Sequence, residues 1–313
     1  MHVAIIEPLG VERSLVERLM GEVAGVTFDY FDQRSVDPDE LARRARGAEA
    51  VVVANAPVTE RMLAQCPDLR MLSVAFTGLD HIDLAYCDEH GVEVVNCAGY
   101  STEAVAEEVF GLALSLYRHL MECDRRVREG SDRAGLTFRE LRGKVLGVVG
   151  NGAIACRVME IARAFGMELL CHARTERPLE GVTYVGLAEL CRHADVLSLH
   201  VPATPSTTHL IGERELSLMK PDAILINCAR GPVVDTDALV QALEEERIAG
   251  AGLDVFDAEP PLDPALPILA VAGTQLAPHI GFATVEALAE RACLAIEHMA
   301  DYVRTSRRME GAR

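Results

Sequence analysis

The sequence predicts an α/β protein built from two doubly wound parallel-sheet domains, one inserted into the other. Three observations predict this. Short apolar runs alternate with amphipathic stretches in two separate series. Only the second series opens on a glycine-rich turn. A long amphipathic stretch closes the chain directly after the last strand of that second series, and it is positioned to return to the first. Alternation of this kind implies a parallel sheet covered by helices on both faces.

In the first series, apolar runs at 2–6, 50–54, 71–76 and 92–96 read as strands. The patterns at 11–23, 38–46 and 59–65 read as helices between them. The opening run, Met1 to Glu7, lacks a basic region and a cleavage site, so it reads as a strand rather than a signal peptide. One long helical pattern then extends from Thr102 to Arg128.

The second series has strands expected at 145–149, 167–171, 182–185, 195–200, 223–228, 249–253 and 274–277. Its first strand runs directly into Gly150-Asn151-Gly152-Ala153-Ile154-Ala155, and a helix-forming stretch from Cys156 to Phe165 follows. Strand, G-x-G-x-x-A turn and helix in this order are how a Rossmann unit holds a dinucleotide. Gly150 permits the tight turn and Gly152 lets the backbone approach the pyrophosphate. Ala155 lets helix and strand pack closely, and the free N–H groups of the helix end face the phosphates. Gly150, Asn151, Gly152, Ala153 and Ile154 are therefore the expected phosphate-binding residues. Glu259-Pro260-Pro261-Leu262-Asp263-Pro264 is a loop, because its prolines continue neither helix nor strand. The final helix is expected from Thr284 to Arg307, with Ala287, Leu288, Arg291, Ala292, Ala295 and Met299 at helical spacing. We expect a substrate domain, 1–98 plus 284–313, that is flavodoxin-like, and a dinucleotide-binding Rossmann domain, 99–283.

Composition narrows the function. The 313 residues are half hydrophobic, enough for two folded domains with large cores. A formal net charge of −18 argues against a nucleic-acid partner. No apolar run approaches bilayer-spanning length, so no membrane partner is expected. Nine dispersed cysteines, none in C-x-x-C, fit buried thiols in a reducing cytoplasm. No His/Cys cluster has zinc-ligand spacing, so no metal is expected.

Three candidate chemical groups lie just beyond strands of the second series, where ligands gather in open parallel sheets. Arg230 follows 223–228, Glu259 follows 249–253 and His279 follows 274–277. A guanidinium grips a carboxylate through two parallel hydrogen bonds. A histidine paired with a carboxylate serves as acid and base near neutral pH.

With these residues in place, the chain resembles the D-isomer-specific 2-hydroxyacid dehydrogenases from Ile5 to about Met299. The matching blocks are Gly143 to Gly152, His200-Val201-Pro202-Ala203-Thr204, Asn227-Cys228-Ala229-Arg230-Gly231, Asp254-Val255-Phe256 with Glu259-Pro260, and Pro278-His279-Ile280-Gly281. The resemblance implies His279 as acid/base, Glu259 as its partner and Arg230 as the ligand of the substrate carboxylate and carbonyl. It implies cofactor contacts from Val201, Pro202, Cys228 and Asp254, the last to the nicotinamide carboxamide. Thr77 and Gly78, in the segment Ala75 to Asp80, look like the loop whose N–H groups receive the carboxylate. It also implies a homodimer.

Departures from the family pattern are informative. Asn151 is polar where the family often has an apolar residue. Ala173 stands where NAD-specific members usually carry aspartate, and Arg174 and Thr175 follow it. Loss of the carboxylate removes repulsion toward a 2′-phosphate, so NADP is the expected cofactor, with NAD the alternative. Asn55-Ala56-Pro57 replaces the basic residue that phosphoglycerate dehydrogenases tend to have, and no room is left after the last helix for a regulatory domain. Both point to a small unphosphorylated 2-keto acid such as glyoxylate or hydroxypyruvate. Two rival readings share the fold: a formate- or phosphite-type dehydrogenase, and a dinucleotide-sensing, corepressor-like binding protein. The family's formate enzymes generally have glutamine where Glu259 stands, which counts against the first.

Overall fold

The computed structural model describes the chain from Met1 to Gly311, with side chains described as far as Ser306. It divides into two compact units, 1–101 with 284–313, and 102–283.

The first unit is a five-stranded parallel sheet. Its elements are β1 (His2–Ile5), α1 (Arg13–Gly21), β2 (Thr27–Tyr30), α2 (Pro38–Arg44), β3 (Ala50–Val53), α3 (Glu60–Leu63), β4 (Met71–Val74), α4 (Leu84–His90) and β5 (Glu93–Asn96). The order β2-β1-β3-β4-β5 is the flavodoxin arrangement, with its switch point between β1 and β3. There the chain buries a carboxylate. Glu7 is 1% exposed, and its Oε1 accepts the N–H groups of Ala54 at 2.8 Å and Ala56 at 2.7 Å. Two N–H donors satisfy a polar oxygen that would otherwise be costly to bury. They also fix the backbone on both sides of exposed Asn55.

Sequence periodicity misses two elements of this unit. β2 is a four-residue edge strand paired only with β1 and only half-buried, so its alternation is faint. α4 is short and is set by its ends: Asp83 accepts the Tyr86 N–H, and Gly91 ends the helix at φ +66°.

The second unit contains α5 (Thr102–Tyr117), α6 (Leu120–Arg128), β6 (Val145–Val149), α7 (Ala153–Ala164), β7 (Glu168–His172), β8 (Val182–Tyr184), α8 (Leu187–His193), β9 (Val196–Leu199), α9 (Glu213–Leu218), β10 (Ile224–Asn227), α10 (Thr236–Glu244), β11 (Gly250–Leu253) and β12 (Thr274–Leu276). Its seven parallel strands lie in the order β12-β11-β10-β9-β6-β7-β8, the doubly wound Rossmann order with one strand added at the β12 edge. The central strands β9 and β10 are wholly buried, as apolar runs covered on both faces must be.

The helix expected from Thr102 to Arg128 is two helices. His119 adopts φ +47° and separates α5 from α6. α5 buries Val109, Leu112, Ala113 and Tyr117, but no residue of α6 is buried. The buried stripe ends at Tyr117, so packing no longer holds one axis. α6 is instead laced by Arg125 and Arg126 on Glu122. α7 starts at Ala153, three residues earlier than the sequence reading.

The last helix, α11 (Val285–Gly311), returns to the first unit. It buries Ala292, Ala295, Ile296 and Met299, and Ser73 of β4 donates to the Ala295 carbonyl at 2.7 Å.

Candidate active site

The phosphate turn is shaped by close approach. Gly150 has φ +105°, and a Cβ there would lie 2.4 Å from the His200 carbonyl oxygen. Only glycine fits. The turn is pinned by Gly150 N–H to the His172 carbonyl and by His200 N–H to the Val149 carbonyl, both at 2.8 Å. Two thiols hold its carbonyls: Cys171 donates to Gly150 O at 3.4 Å and Cys156 to Asn151 O at 3.6 Å. Burial pushes the Cys171 thiol up to about 11, so it remains a protonated donor at neutral pH.

A Cβ on Gly152 would meet nothing within 4 Å, which leaves room above the turn. The first helical N–H that bonds back is that of Cys156, to the Gly152 carbonyl at 2.9 Å. The N–H groups of Ala153, Ile154 and buried Ala155 are thus the orphan donors of the helix start. An open glycine beside unspent N–H groups fits the pyrophosphate of a dinucleotide.

Val201 and Pro202 follow His200 at the end of β9 and are partly or fully exposed. The His200 ring meets Ser198 Oγ at 2.8 Å, and burial lowers its pKa from 6.5 to about 4. A lowered histidine contributes stability that is complete above 6.5 and is lost as pH falls through about 4. At full titration the gap is about 3 kcal/mol. Between pH 6.5 and pH 4, His200→Gln is therefore expected to lose less unfolding free energy than wild type, by up to about 3 kcal/mol. Urea unfolding of both proteins at several pH values measures it; identical pH dependence would remove His200 from the acid response.

On the other side of the turn, β7 ends at His172. Arg174 and Thr175 are exposed beyond it, and half-buried Ala173 brings no carboxylate.

Beyond β10, buried Asn227 builds the next turn: its Nδ2 donates to the Arg230 carbonyl at 2.9 Å and its Oδ1 accepts the Ala229 N–H at 3.1 Å. Arg230 is partly buried, and its Nη1 donates to the Ala229 carbonyl at 2.8 Å. At Gly231 a Cβ would fall 1.9 Å from the Phe256 carbonyl oxygen, so this turn presses against the loop that leaves β11. Burial pushes the neighbouring Cys228 thiol well up, and Asp254 and Glu108 add to the shift, so it is no thiolate.

Asp254, 1% exposed, anchors the histidine. Its Oδ1 accepts the Ile280 N–H at 2.7 Å and its Oδ2 the Gly281 N–H at 2.8 Å; its carbonyl accepts the His279 N–H at 2.8 Å. Burial raises its pKa, and those two N–H groups and His279 oppose the rise. The turn so held places His279 at φ +55°, an uncommon backbone for a non-glycine residue. His279 Nδ1 lies 2.9 Å from both oxygens of Glu259. The ring is 17% exposed and the carboxylate 65%. An imidazole gripped at Nδ1 presents Nε2 as its working nitrogen and has a charge partner when protonated.

Glu108 of α5 is a neighbour that the sequence reading missed. Its Cβ and Cγ lie 3.7 Å from where a Gly281 Cβ would stand, and burial, with Asp254 adding, raises its pKa. A carboxylate set among the apolar positions Val105, Val109 and Leu112 was the available signal.

The structure thus brings His279, Glu259 and Asp254 into direct contact and sets the Arg230 turn against the same loop. Thr77 and Gly78 belong to the first unit, after β4. Asn96 donates to the Thr77 carbonyl at 2.7 Å, and the N–H groups of Thr77 and Gly78 bond nothing among the described residues.

The D-isomer specific 2-hydroxyacid dehydrogenase NAD binding domain matches residues 110–281. Glyoxylate reductase of Aeropyrum pernix is 41% identical over 288 residues, 87% of this chain and 85% of that protein. An acyclic imino acid reductase, solved with NADPH and D-Arg, superposes with a TM-score of 0.90 at 30% identity, covering 97% of this chain and 98% of that one. D-lactate dehydrogenase of Aquifex aeolicus, solved with NAD and lactic acid, gives a TM-score of 0.83 at 33% identity, over 97% and 96% of the two chains. The protein is an oxidoreductase dependent on a nicotinamide dinucleotide. It belongs to the D-isomer-specific 2-hydroxyacid dehydrogenase family.

Proposed function

We propose that this chain reduces a small 2-keto acid, of the size of glyoxylate or hydroxypyruvate, to the D-2-hydroxy acid, with NADPH preferred and NADH the alternative. The observation that carries the reading is the His279–Glu259 pair, held at 2.9 Å on a turn anchored by Asp254. When bound, the nicotinamide supplies the hydride. His279 Nε2 donates the accompanying proton to the substrate oxygen, and Glu259 holds the ring in that orientation. Arg230 binds the substrate carboxylate and carbonyl as a planar fork. Thr77 and Gly78 offer backbone N–H groups to the carboxylate, and Val201, Pro202 and Cys228 line the dinucleotide.

The test follows consumption of NADPH and NADH against a panel of 2-keto acids, with formate and phosphite assayed in the reverse direction. Reduction of short keto acids supports the reading. Turnover of formate or phosphite alone, or nucleotide binding with no turnover, favours the rival dehydrogenase or the binding protein. We further propose a homodimer that uses α6, which leaves Leu120, Met121 and Val127 exposed; sedimentation of the native chain at monomer mass overturns it.

Cofactor choice is assigned to Arg174 and Thr175. A charge-assisted contact contributes about 1.5–3 kcal/mol, or roughly ten- to a hundred-fold in affinity. Arg174→Ala is therefore expected to raise KM for NADPH by about that factor and to leave NADH nearly unchanged. Adding Ala173→Asp reverses the preference. Comparison of kcat/KM for both cofactors decides it; equal losses would show that Arg174 does not read the phosphate.

A further inference from the structure

The phosphate turn and the loop beyond β7 are joined by side chains far apart in sequence. Asn151 Nδ2 donates to the Thr175 carbonyl at 2.7 Å and reaches the Tyr184 hydroxyl oxygen at 3.4 Å. The same hydroxyl accepts the Arg177 N–H at 3.2 Å. Tyr184 itself stands at the end of β8, in register with Cys171 of β7. One amide and one phenol thus hold the segment 175–177 at both ends and tie it to the turn that receives the pyrophosphate.

We propose that Asn151 and Tyr184 form a clamp that sets selectivity for a 2′-phosphorylated dinucleotide by fixing the loop that carries Arg174, Thr175 and Arg177. The proposal rests on the reading of Arg174 as a ligand of the 2′-phosphate.

The charge pattern shows why such a loop needs fixing. Arg174, Glu176 and Arg177 are all exposed. The guanidinium groups of Arg174 and Arg177 make no ion pair among the described residues, whereas exposed Arg13, Arg61, Arg125 and Arg128 each do. Two unspent cations suit an anion. Glu176 between them opposes it. A free loop would have to be ordered on binding to bring its guanidinium groups to a phosphate while keeping the Glu176 carboxylate away from it, so a fixed backbone favours discrimination. Anchoring that backbone in advance lowers the ordering cost of binding. NADH shares the pyrophosphate turn but has no 2′-phosphate to be read, so the clamp acts on one cofactor and not the other.

The test measures Kd for NADPH, NADH, 2′,5′-ADP and 5′-ADP by titration calorimetry on wild type, Tyr184→Phe, Asn151→Leu and Arg174→Ala. Tyr184→Phe keeps the ring and removes only the shared acceptor. It is expected to weaken NADPH and 2′,5′-ADP about three- to ten-fold and to leave NADH and 5′-ADP within two-fold. Asn151→Leu is expected to lower the NADPH-to-NADH affinity ratio by a similar factor. In the Arg174→Ala background, Tyr184→Phe should add little, because the two act on one contact. If Arg174→Ala abolishes the preference while both clamp variants keep the wild-type ratio, or lose both nucleotides equally, the clamp is overturned and the Arg174 reading stands. If wild type does not distinguish 2′,5′-ADP from 5′-ADP, that reading fails and the clamp falls with it.

Discussion

Replacing His279 with alanine is expected to lower kcat for keto-acid reduction by about 10²–10⁴-fold, the worth of a positioned general acid. Dinucleotide affinity should stay near wild type. The separation follows from how the residue is held. Asp254 grips this turn through the backbone N–H groups of Ile280 and Gly281, and its carbonyl takes the N–H of residue 279. All three bonds survive loss of the imidazole. The interactions that vanish include those from Nδ1 to Glu259 and the edge-on packing against Phe282, with ring centroids 5.4 Å apart. The phosphate turn is pinned by other residues, at the ends of β7 and β9. On the proposed reading the substitution thus removes a proton donor and leaves its platform standing. Steady-state kcat and NADPH titration on the purified variant measure both halves. Turnover close to wild type would remove His279 from the acid role, and a parallel loss of NADPH binding would mean that the turn had moved.

Much of this was legible in the sequence, for physical reasons that also mark where legibility stops. Buried parallel strands announce themselves as apolar runs, so β3, β4, β9 and β10 were readable, and the end of β10 located Arg230. Gly150 was readable because a backbone carbonyl leaves no space for a Cβ. The edge strand β2 was not readable, since one face meets water and its pattern is weak. The break at His119 was also hidden: helical spacing continues past it, and only the loss of a packing partner separates α6 from α5. Side-chain contacts across the fold form a third class. Residue types at strand ends suggested that Glu259 and His279 act together, but the 2.9 Å contact depends on how two loops fold over β11 and β12. The links from Asn151 to Tyr184 and from Glu108 to Asp254 leave no periodic trace, because each joins one residue to another in a separate element.

The second large effect is expected at Arg230. Arg230→Lys should raise KM for the keto acid and lower kcat, so that kcat/KM falls by roughly ten- to a hundred-fold, which corresponds to one lost charge-assisted bond. The backbone here is extended, φ −148° and ψ 139°, a conformation that lysine adopts without strain. The turn is shaped by the Asn227 side chain through main-chain atoms of residues 229 and 230, so the fold does not depend on the guanidinium. What the guanidinium contributes is a plane. Nη1 donates to the Ala229 carbonyl at 2.8 Å and so orients the fork. A fork in a fixed plane engages a carboxylate and an adjacent carbonyl oxygen together, whereas an ammonium is a rotating point charge that grips one oxygen well. On the proposed reading, lysine therefore retains the attraction for an anion and loses the alignment that would present the carbonyl to His279. This predicts that kcat suffers along with KM, as expected when a bond aligns the reacting group. Dinucleotide Kd should not change, because the phosphate turn lies at the end of a different strand, β6. Initial rates across the keto-acid panel, with Kd for NADPH measured alongside, separate these effects. An unaltered KM for every active keto acid would take Arg230 out of the substrate site, while a fall in kcat/KM with Kd for NADPH preserved places the fork on the substrate.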